Sequence, residues 1–262
     1  MSKPIVVALA NQKGGVGKST TAINLAAALA FQGQRVLLID LDPQGNASSG
    51  LGIDRSAIDV SIYDVLLKES TLDEAIEPTS VRNLFVVPAT IDLAGAEIEL
   101  VSLFSRETRL RNAIEGTDTE FDVILIDCPP SLGLLTVNAL TAAREVIIPI
   151  QCEYYALEGL SQLLRNVDLV TSNLNPKLKV SGVILTMYDG RTRLSKEVAE
   201  QVRDYFAELT FDTVIPRSVR ISEAPSYGEP LQTLDPMSRG AIAYRNLGRE
   251  FIKRHDLSEE KS

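Results

Sequence analysis

The chain has 262 residues, 45% of them hydrophobic, with 26 Lys and Arg against 35 Asp and Glu for a net charge of −9. That length and apolar content suffice for a large core, while the acidic balance argues against a general nucleic-acid coat protein and confines any nucleic-acid contact to a local basic patch. No apolar run reaches the length of a membrane span or a secretory signal, and Cys128 and Cys152 stand in no paired motif, which predicts reduced core thiols in a cytoplasmic protein.

In chain order, apolar runs alternate with helical patterns. Residues 5–10 form an apolar strand that enters a Gly-rich turn, and 19–32 are rich in Ala and Leu at helical spacing, with Gly33 as the stop. Further strands are predicted at 36–39, closed by Asp40, at 84–87, closed by Pro88, and at 123–126, closed by Asp127 and then Pro129-Pro130. The run at 146–148 ends at Pro149, 180–185 follows the turn Asn175-Pro176, and 213–215 ends at Pro216. Helical patterns cover 94–115, 131–143, 157–174, 195–209 and 240–255. Strands that are apolar without alternation are buried on both faces. Their alternation with helices predicts an α/β fold, a mostly parallel twisted sheet with helices on both faces and a ligand at the carboxyl ends of the strands. No linker or repeat interrupts the pattern, so 1–262 is expected to be a single domain with a short polar tail from about 256 to 262.

The first strand runs into Gln12-Lys13-Gly14-Gly15-Val16-Gly17-Lys18-Ser19-Thr20 and then a helix. A helix N-terminus carries unpaired N–H groups and a partial positive charge. Gly14, Gly15 and Gly17 let the backbone curl around a phosphate, Lys18 places a cation on the β- and γ-phosphates, and the Ser19 hydroxyl is suited to Mg2+. A Gly-rich turn with a chance Gly-Lys-Ser would not account for the strand before it and the helix after it. Asp40 and Asp42 follow the second strand in Asp40-Leu41-Asp42-Pro43-Gln44. Alone, such a pair is more often a polar strand-to-turn junction; behind a phosphate loop, two carboxylates near one cation are chemically sensible. Asp127 ends a buried strand that aims its carboxylate at Mg2+ and its waters.

One departure from the usual phosphate loop is informative: Gln12 replaces the first glycine and Lys13 adds a second lysine. Residues 13–20, KGGVGKST, resemble the deviant Walker A loop of the ParA/MinD family, and the segment 40–44 and Pro129-Pro130-Ser131 are similar to its acidic and second switch segments. Segments 186–191, 215–225, 227–230 and 235–241 closely resemble the ParA/Soj branch, so the resemblance covers nearly the whole chain, from about Ile5 to Phe251. It implies a P-loop NTPase that binds ATP and Mg2+, hydrolyses ATP slowly and forms an ATP-dependent homodimer. Lys13 would cross the dimer interface to the other copy's nucleotide, where a cation supplied in trans stabilises the transferred phosphoryl group. Lys13, Lys18 and Asp42 would be catalytic, Asp42 orienting the attacking water. The loop from Lys13 to Thr20, Val16 included, would hold the nucleotide, with Met187 and Pro216 near the adenine. Ser19, Asp40 and Asp127 would surround the metal. Arg191 and Arg220 would bind double-stranded DNA nonspecifically, within a local cluster that includes Arg193, Lys196 and Arg217. A centromere-binding protein of the ParB type would stimulate hydrolysis, and the protein would sit in the cytoplasm on the nucleoid. No helix-turn-helix segment precedes the loop, so operator-specific autoregulation is not expected.

Three other readings use related chemistry. A ParA-like ATPase that positions a protein cargo on the nucleoid shares every motif above. A MinD-like membrane ATPase needs a basic amphipathic C-terminal helix, whereas residues 251–262 are mixed in charge and poor in large apolar side chains. An iron–sulfur reductase of the nitrogenase iron-protein kind needs cluster-holding cysteines, and Cys128 and Cys152 lack that spacing.

Overall fold

Seven strands hydrogen-bond in the order β3-β4-β2-β5-β1-β6-β7. They are β1 (Ile5–Leu9), β2 (Val36–Asp40), β3 (Glu77–Pro78), β4 (Leu84–Val87), β5 (Val123–Asp127), β6 (Glu145–Gln151) and β7 (Lys179–Thr186). All pairings are parallel except β3 with β4. The computed structural model describes residues 3–153 and 160–257. The helices are α1 (Lys18–Phe31), α2 (Asn46–Gly50), α3 (Ile62–Leu67), α4 (Leu93–Glu99), α5 (Arg109–Glu115), α6 (Leu134–Ala142), α7 (Leu160–Asn173), α8 (Arg193–Phe206), α9 (Val219–Tyr227), α10 (Leu231–Leu234) and α11 (Arg239–Arg254).

The lack of polar alternation in the strands is resolved by two cores, one on each face. Val6, Ala8, Leu37, Ile39, Ile124 and Ile126 point into the layer formed by α3 to α8. Their strand neighbours Val7, Leu9, Val36, Leu38, Val123 and Leu125 point into the layer of α1, α10 and α11. Successive side chains leave a strand on opposite faces, so a sheet covered on both sides needs apolar residues at every position. In the second layer the Ala-rich surface of α1 lets α11 approach closely: Tyr244, Leu247, Phe251 and Ile252 are buried, and a side chain on Gly248 would meet the Cβ of Ala28. The apolar face of the C-terminal helix is thus committed to the core. Among the described residues no helix is long and apolar enough to cross a membrane.

Several expectations change in detail. The pattern at 94–115 is not one helix, because Leu103 is extended and Ser105 is left-handed with φ 55°, which separates α4 from α5. The run at 213–215 forms no strand; it lies beside β7 through single bonds such as Ile215 N–H to Leu185 O at 2.8 Å and Tyr188 N–H to Ile215 O at 2.9 Å. The strand at 146–148 continues through Pro149, whose missing N–H faces the side where β1 has already ended, so no ladder bond is lost there. The predicted helix at 157–174 is seen as α7, and its first residues, 157–159, lie outside the described residues. Helix α9 carries Pro225 near its C-terminus, and the sequence reading placed no helix there.

Both cysteines are buried free thiols, as expected. Burial pushes Cys152 up to about 12 and Cys128 higher still, which makes both poor nucleophiles.

The foot of α11 is tied to the sheet by His255 Nε2, 2.7 Å from the buried Glu145 carboxylate on β6, with Lys179 Nζ 3.3 Å from the same group. Burial works to raise the Glu145 pKa, but the His255 hydrogen bond, the nearby Ser181 hydroxyl and the His255 and Lys179 charges outweigh it and hold the carboxyl at about 2. A depressed folded-state pKa stabilises above the unfolded value and is lost as pH falls through the folded one. Wild type should therefore lose roughly 2 kcal/mol from this site as pH falls from the ordinary glutamate range to about 2. Glu145→Gln should lose that increment already at pH 7. Urea unfolding midpoints of the two proteins should differ at pH 7 and converge towards pH 2.5; a constant gap would refute the linkage.

Candidate nucleotide-binding and hydrolysis site

Three adjacent parallel strands converge at their carboxyl ends. Leu9 of β1 is in register with Asp127 of β5, and Asp127 with Asp40 of β2. The loop from Asn11 to Gly17 therefore springs from the strand beside the two carboxylates. Two contacts hold it in place. Asn11 Nδ2 donates to Pro149 O at 2.7 Å while its Oδ1 accepts from the Lys13 amide at 2.9 Å. Thr186 Oγ1, at the end of β7, donates to Val16 O at 2.8 Å.

Gly17 precedes α1 with φ 85°, a left-handed conformation that suits glycine and turns the chain sharply into the helix. Gly14 has no such requirement, and a side chain there or on Gly15 would meet nothing within 4 Å. Neither packing nor, at Gly14, backbone conformation within the chain calls for glycine, so the loop is open to close approach from outside. Lys13 beside it is exposed, and Ser19 and Thr20 on the first turn of α1 are half-buried.

Lys18, by contrast, is only 6% exposed. Burial lowers its pKa, and the charges of Asp127, Cys128 and Asp42 work the other way. Asp127 is wholly buried and its carboxyl is raised well above the usual range, first by burial and then by Asp40, against the opposing Ser19 hydroxyl and Lys18 ammonium. Ser19 is near enough to favour the ionised form, yet neither Asp127 oxygen has a partner within ordinary hydrogen-bond distance. Two orphaned oxygens in a buried site, next to a hydroxyl and behind an open phosphate loop, fit a hydrated divalent cation that a nucleotide brings with it. Among the described residues no group of three or more His, Cys, Asp and Glu side chains could hold a metal ion.

Asp40, beside Asp127 in register, is hydrogen-bonded within its own chain. Its Oδ2 accepts from both the Ser48 amide and the Ser48 hydroxyl at 2.7 Å, and its Oδ1 accepts from the Asp42 amide at 3.2 Å. Burial raises its pKa to about 6 while these bonds oppose the rise. Asp40 is thus engaged in shaping the turn that carries Asp42, and Asp127 is the carboxylate left open. Asp42 is 7% exposed, and its Oδ1 accepts from the Gln44 amide at 3.0 Å.

Met187 follows Thr186, and Tyr188 bridges to Pro216, so both residues expected near the adenine stand half-buried past the end of β7, beside the Val16 side of the loop. Arg191 and Arg220 are exposed but not solitary. Arg191 makes a two-pronged pair with Asp189, at 3.0 and 2.8 Å, and Arg220 lies 3.3 Å from Glu223 and 3.6 Å from Asp235. Arg193 pairs with Glu197 and Arg217 with Glu153. The expected basic cluster is offset by carboxylates at each arginine. Such exposed pairs contribute about 0–1 kcal/mol, little enough to be exchanged for phosphate contacts. A separate cleft of about 1470 Å3, lined in part by Lys3, Arg35, Arg111 and Asp118, lies at the amino ends of the strands and includes no residue of the phosphate loop. It lacks the glycine loop, the buried lysine and the open carboxylate that recommend the other end.

A helix that begins on a buried lysine, behind a loop that nothing in the chain covers, has its use in gripping the phosphates of a nucleotide, and the acidic strand ends behind it make this a P-loop ATPase. A family model described as an AAA domain matches residues 4–180. The sporulation initiation inhibitor protein Soj of Bacillus subtilis is 57% identical over 245 residues, covering 94% of this chain and 97% of that one. The chromosome partitioning protein ParA of Myxococcus xanthus is 55% identical over 249 residues, with coverage of 95% and 88%. A Mycobacterium smegmatis structure named cobyrinic acid a,c-diamide synthase, with bound ATP analog and magnesium, superposes with a TM-score of 0.85 at 43% identity over 98% of both chains. The chain belongs to the ParA/Soj family of chromosome-partitioning ATPases.

Some site residues have no role that the sequence assigns. Asn11, Ser48, Arg55 and Thr186 hold the loop and the acidic turn through contacts to residues up to 170 positions away.

Proposed function

We propose that this protein is the ATP-driven switch of a chromosome or plasmid segregation system, a cytoplasmic ATPase that dimerises on ATP, holds nucleoid DNA without regard to sequence, and is released when a ParB-type centromere-binding partner stimulates hydrolysis. The observation that carries this reading is the pairing of a buried Lys18 with an exposed Lys13 on one open loop. The first is sited for the nucleotide of its own chain and the second for that of another copy. Identity of 55% to a chromosome partitioning protein supports the DNA-segregation role over the amidation named for the structural neighbour, which is 43% identical.

In this reading the loop amides from Gly14 to Thr20 and the Lys18 ammonium hold the β- and γ-phosphates, and Met187 and Pro216 flank the base. Ser19 and Asp127 would hold Mg2+, which neutralises charge between the phosphates when bound. The Asp42 carboxylate orients the attacking water and draws off its proton. Lys13 of the second copy adds positive charge as the γ-phosphoryl group leaves, so hydrolysis waits for the dimer. Arg191 and Arg220 of both copies then face one duplex, and two weak patches become one adequate one. Burial of the α11 apolar face against α1 weighs against a MinD-like life on a membrane.

DNA binding measured across a salt series, with ATP, ADP or no nucleotide, tests the proposal. Wild type should bind any duplex with ATP alone and release it at high salt. Asp42→Ala should hydrolyse at least about 100-fold more slowly and stay on DNA. Arg220→Ala should bind more weakly on every sequence and with a shallower salt slope. No binding by wild type in any nucleotide state would end this reading, and wild-type turnover in Asp42→Ala would remove its catalytic role.

A further inference from the structure

The turn that carries Asp42 is held by a side chain that the ATPase reading does not use. Arg55 sends its guanidinium back across the turn and donates three hydrogen bonds to backbone carbonyls: Nη2 to Pro43 O at 3.0 Å, Nη1 to Gln44 O at 2.7 Å, and Nε to Ala89 O at 2.9 Å. Among the described residues it makes no ion pair, so its charge is directed at these carbonyls. Two of the three acceptors directly follow Asp42 and the third lies just past β4. A second bridge joins the same two segments, because Ser48 Oγ donates to Asp40 Oδ2 at 2.7 Å and accepts from the Ala89 amide at 3.1 Å. The turn is therefore stapled at both ends to the loop after β4. Gly45 makes room for the staple: a Cβ there would overlap the guanidinium of Arg55.

We propose that Arg55 is a positioning residue for hydrolysis, its guanidinium clamping the Asp42 turn to the loop after β4 so that the Asp42 carboxylate is fixed for the attacking water. This rests on the water-orienting role of Asp42. A planar fork reaches three carbonyls in different directions; an ammonium on a flexible stem does not, so lysine is not an equivalent residue here. Charge-assisted bonds of this kind are roughly twice as strong as neutral ones, and a loosened catalytic carboxylate costs rate more than it costs binding.

The test compares wild type, Arg55→Lys, Arg55→Gln, Gly45→Ala, Asp42→Ala and Arg55→Lys/Asp42→Ala in the full chain. Gly45→Ala displaces the guanidinium and also strains a backbone at φ 63°, so Arg55→Gln, which removes the fork and leaves Gly45 intact, decides the proposal if Arg55→Lys melts early. Amide hydrogen exchange at residues 44–48 without nucleotide reads the clamp; ATP affinity, KM and kcat read its consequence. The clamp predicts exchange about tenfold faster, ATP affinity and KM within about threefold of wild type, and kcat lower by about tenfold or more. It also predicts that Arg55→Lys subtracts nothing further once Asp42 is alanine. Unchanged exchange, wild-type kcat beside an inactive Asp42→Ala, or an equal loss in both backgrounds would each overturn the proposal. If Asp42→Ala turns over like wild type while exchange rises in the Arg55 variant, the failure belongs to the Asp42 reading and takes the hydrolytic role of the clamp with it.

Discussion

Lys18→Ala should weaken ATP binding by about 100-fold or more and abolish turnover, with a melting temperature within about 5 °C of wild type. Lys18 is 6% exposed at the start of α1 and feels the charges of Asp127 and Asp42, so its desolvation has already been met in the folded protein. A phosphate arriving at the open loop gains a pre-placed cation at little further desolvation cost. Hydrogen bonds to charged groups contribute about 1.5–3 kcal/mol each, and the lysine has more than one donor to give. Removing it also leaves Asp127 beside Asp40 without the nearest positive charge, which further discourages an anionic ligand. Stability should not fall much, because the ammonium is buried without an ion pair among the described residues and its desolvation outweighs the opposing charges of Asp127 and Asp42. Isothermal titration with a non-hydrolysable ATP analogue measures the affinity and thermal denaturation supplies the control. Wild-type affinity in this variant would displace the nucleotide from the phosphate loop altogether.

A second large effect concerns the fold. Gly228→Ala should destabilise by about 2–4 kcal/mol and lower the melting temperature by roughly 5–15 °C. Gly228 ends α9 with φ 66° and crosses Gly52, itself at φ 79°, in the turn after α2. A Cβ on Gly228 would lie 2.8 Å from the Gly52 Cα and 3.2 Å from its amide nitrogen. The obstacle is backbone, so no side chain can rotate away, and the left-handed conformation adds its own penalty for a residue with a Cβ. This crossing also joins the region behind the Asp42 turn to the helix that carries Arg220, so a shift there should weaken DNA binding together with stability. Gly95→Ala is the internal control: its Cβ would meet only the flexible end of Glu99, inside α4, where alanine is the better helix former. A melting temperature for Gly228→Ala equal to wild type would show that the two turns can separate freely.

The phosphate loop, the two acidic strand ends and the parallel architecture were all legible in the primary structure, for a common reason. A strand, a glycine loop and a helix N-terminus are contiguous, so the residues that grip a phosphate must follow one another in the chain. Strands covered on both faces must be apolar throughout, and these runs ended in Asp40 and Asp127 as read. What the chain folds around those segments was decided elsewhere. The long pattern at 94–115 broke because Ser105 takes a left-handed conformation between α4 and α5, and α9, which carries Pro225, packs against α2 and α10. The bonds that Asp40 accepts from Ser48, eight residues on, have no sequence signal. Two of the arginines expected to meet DNA carry carboxylate partners that spacing could not reveal: Asp235 lies fifteen residues beyond Arg220, and Glu153 lies sixty-four before Arg217. Arg55 had no motif at all, since its three acceptors are backbone carbonyls that any residue supplies. Local chemistry is thus written in consecutive side chains, whereas the pairing and satisfaction of polar groups depends on which distant backbone the sheet brings alongside, and only the folded chain specifies that.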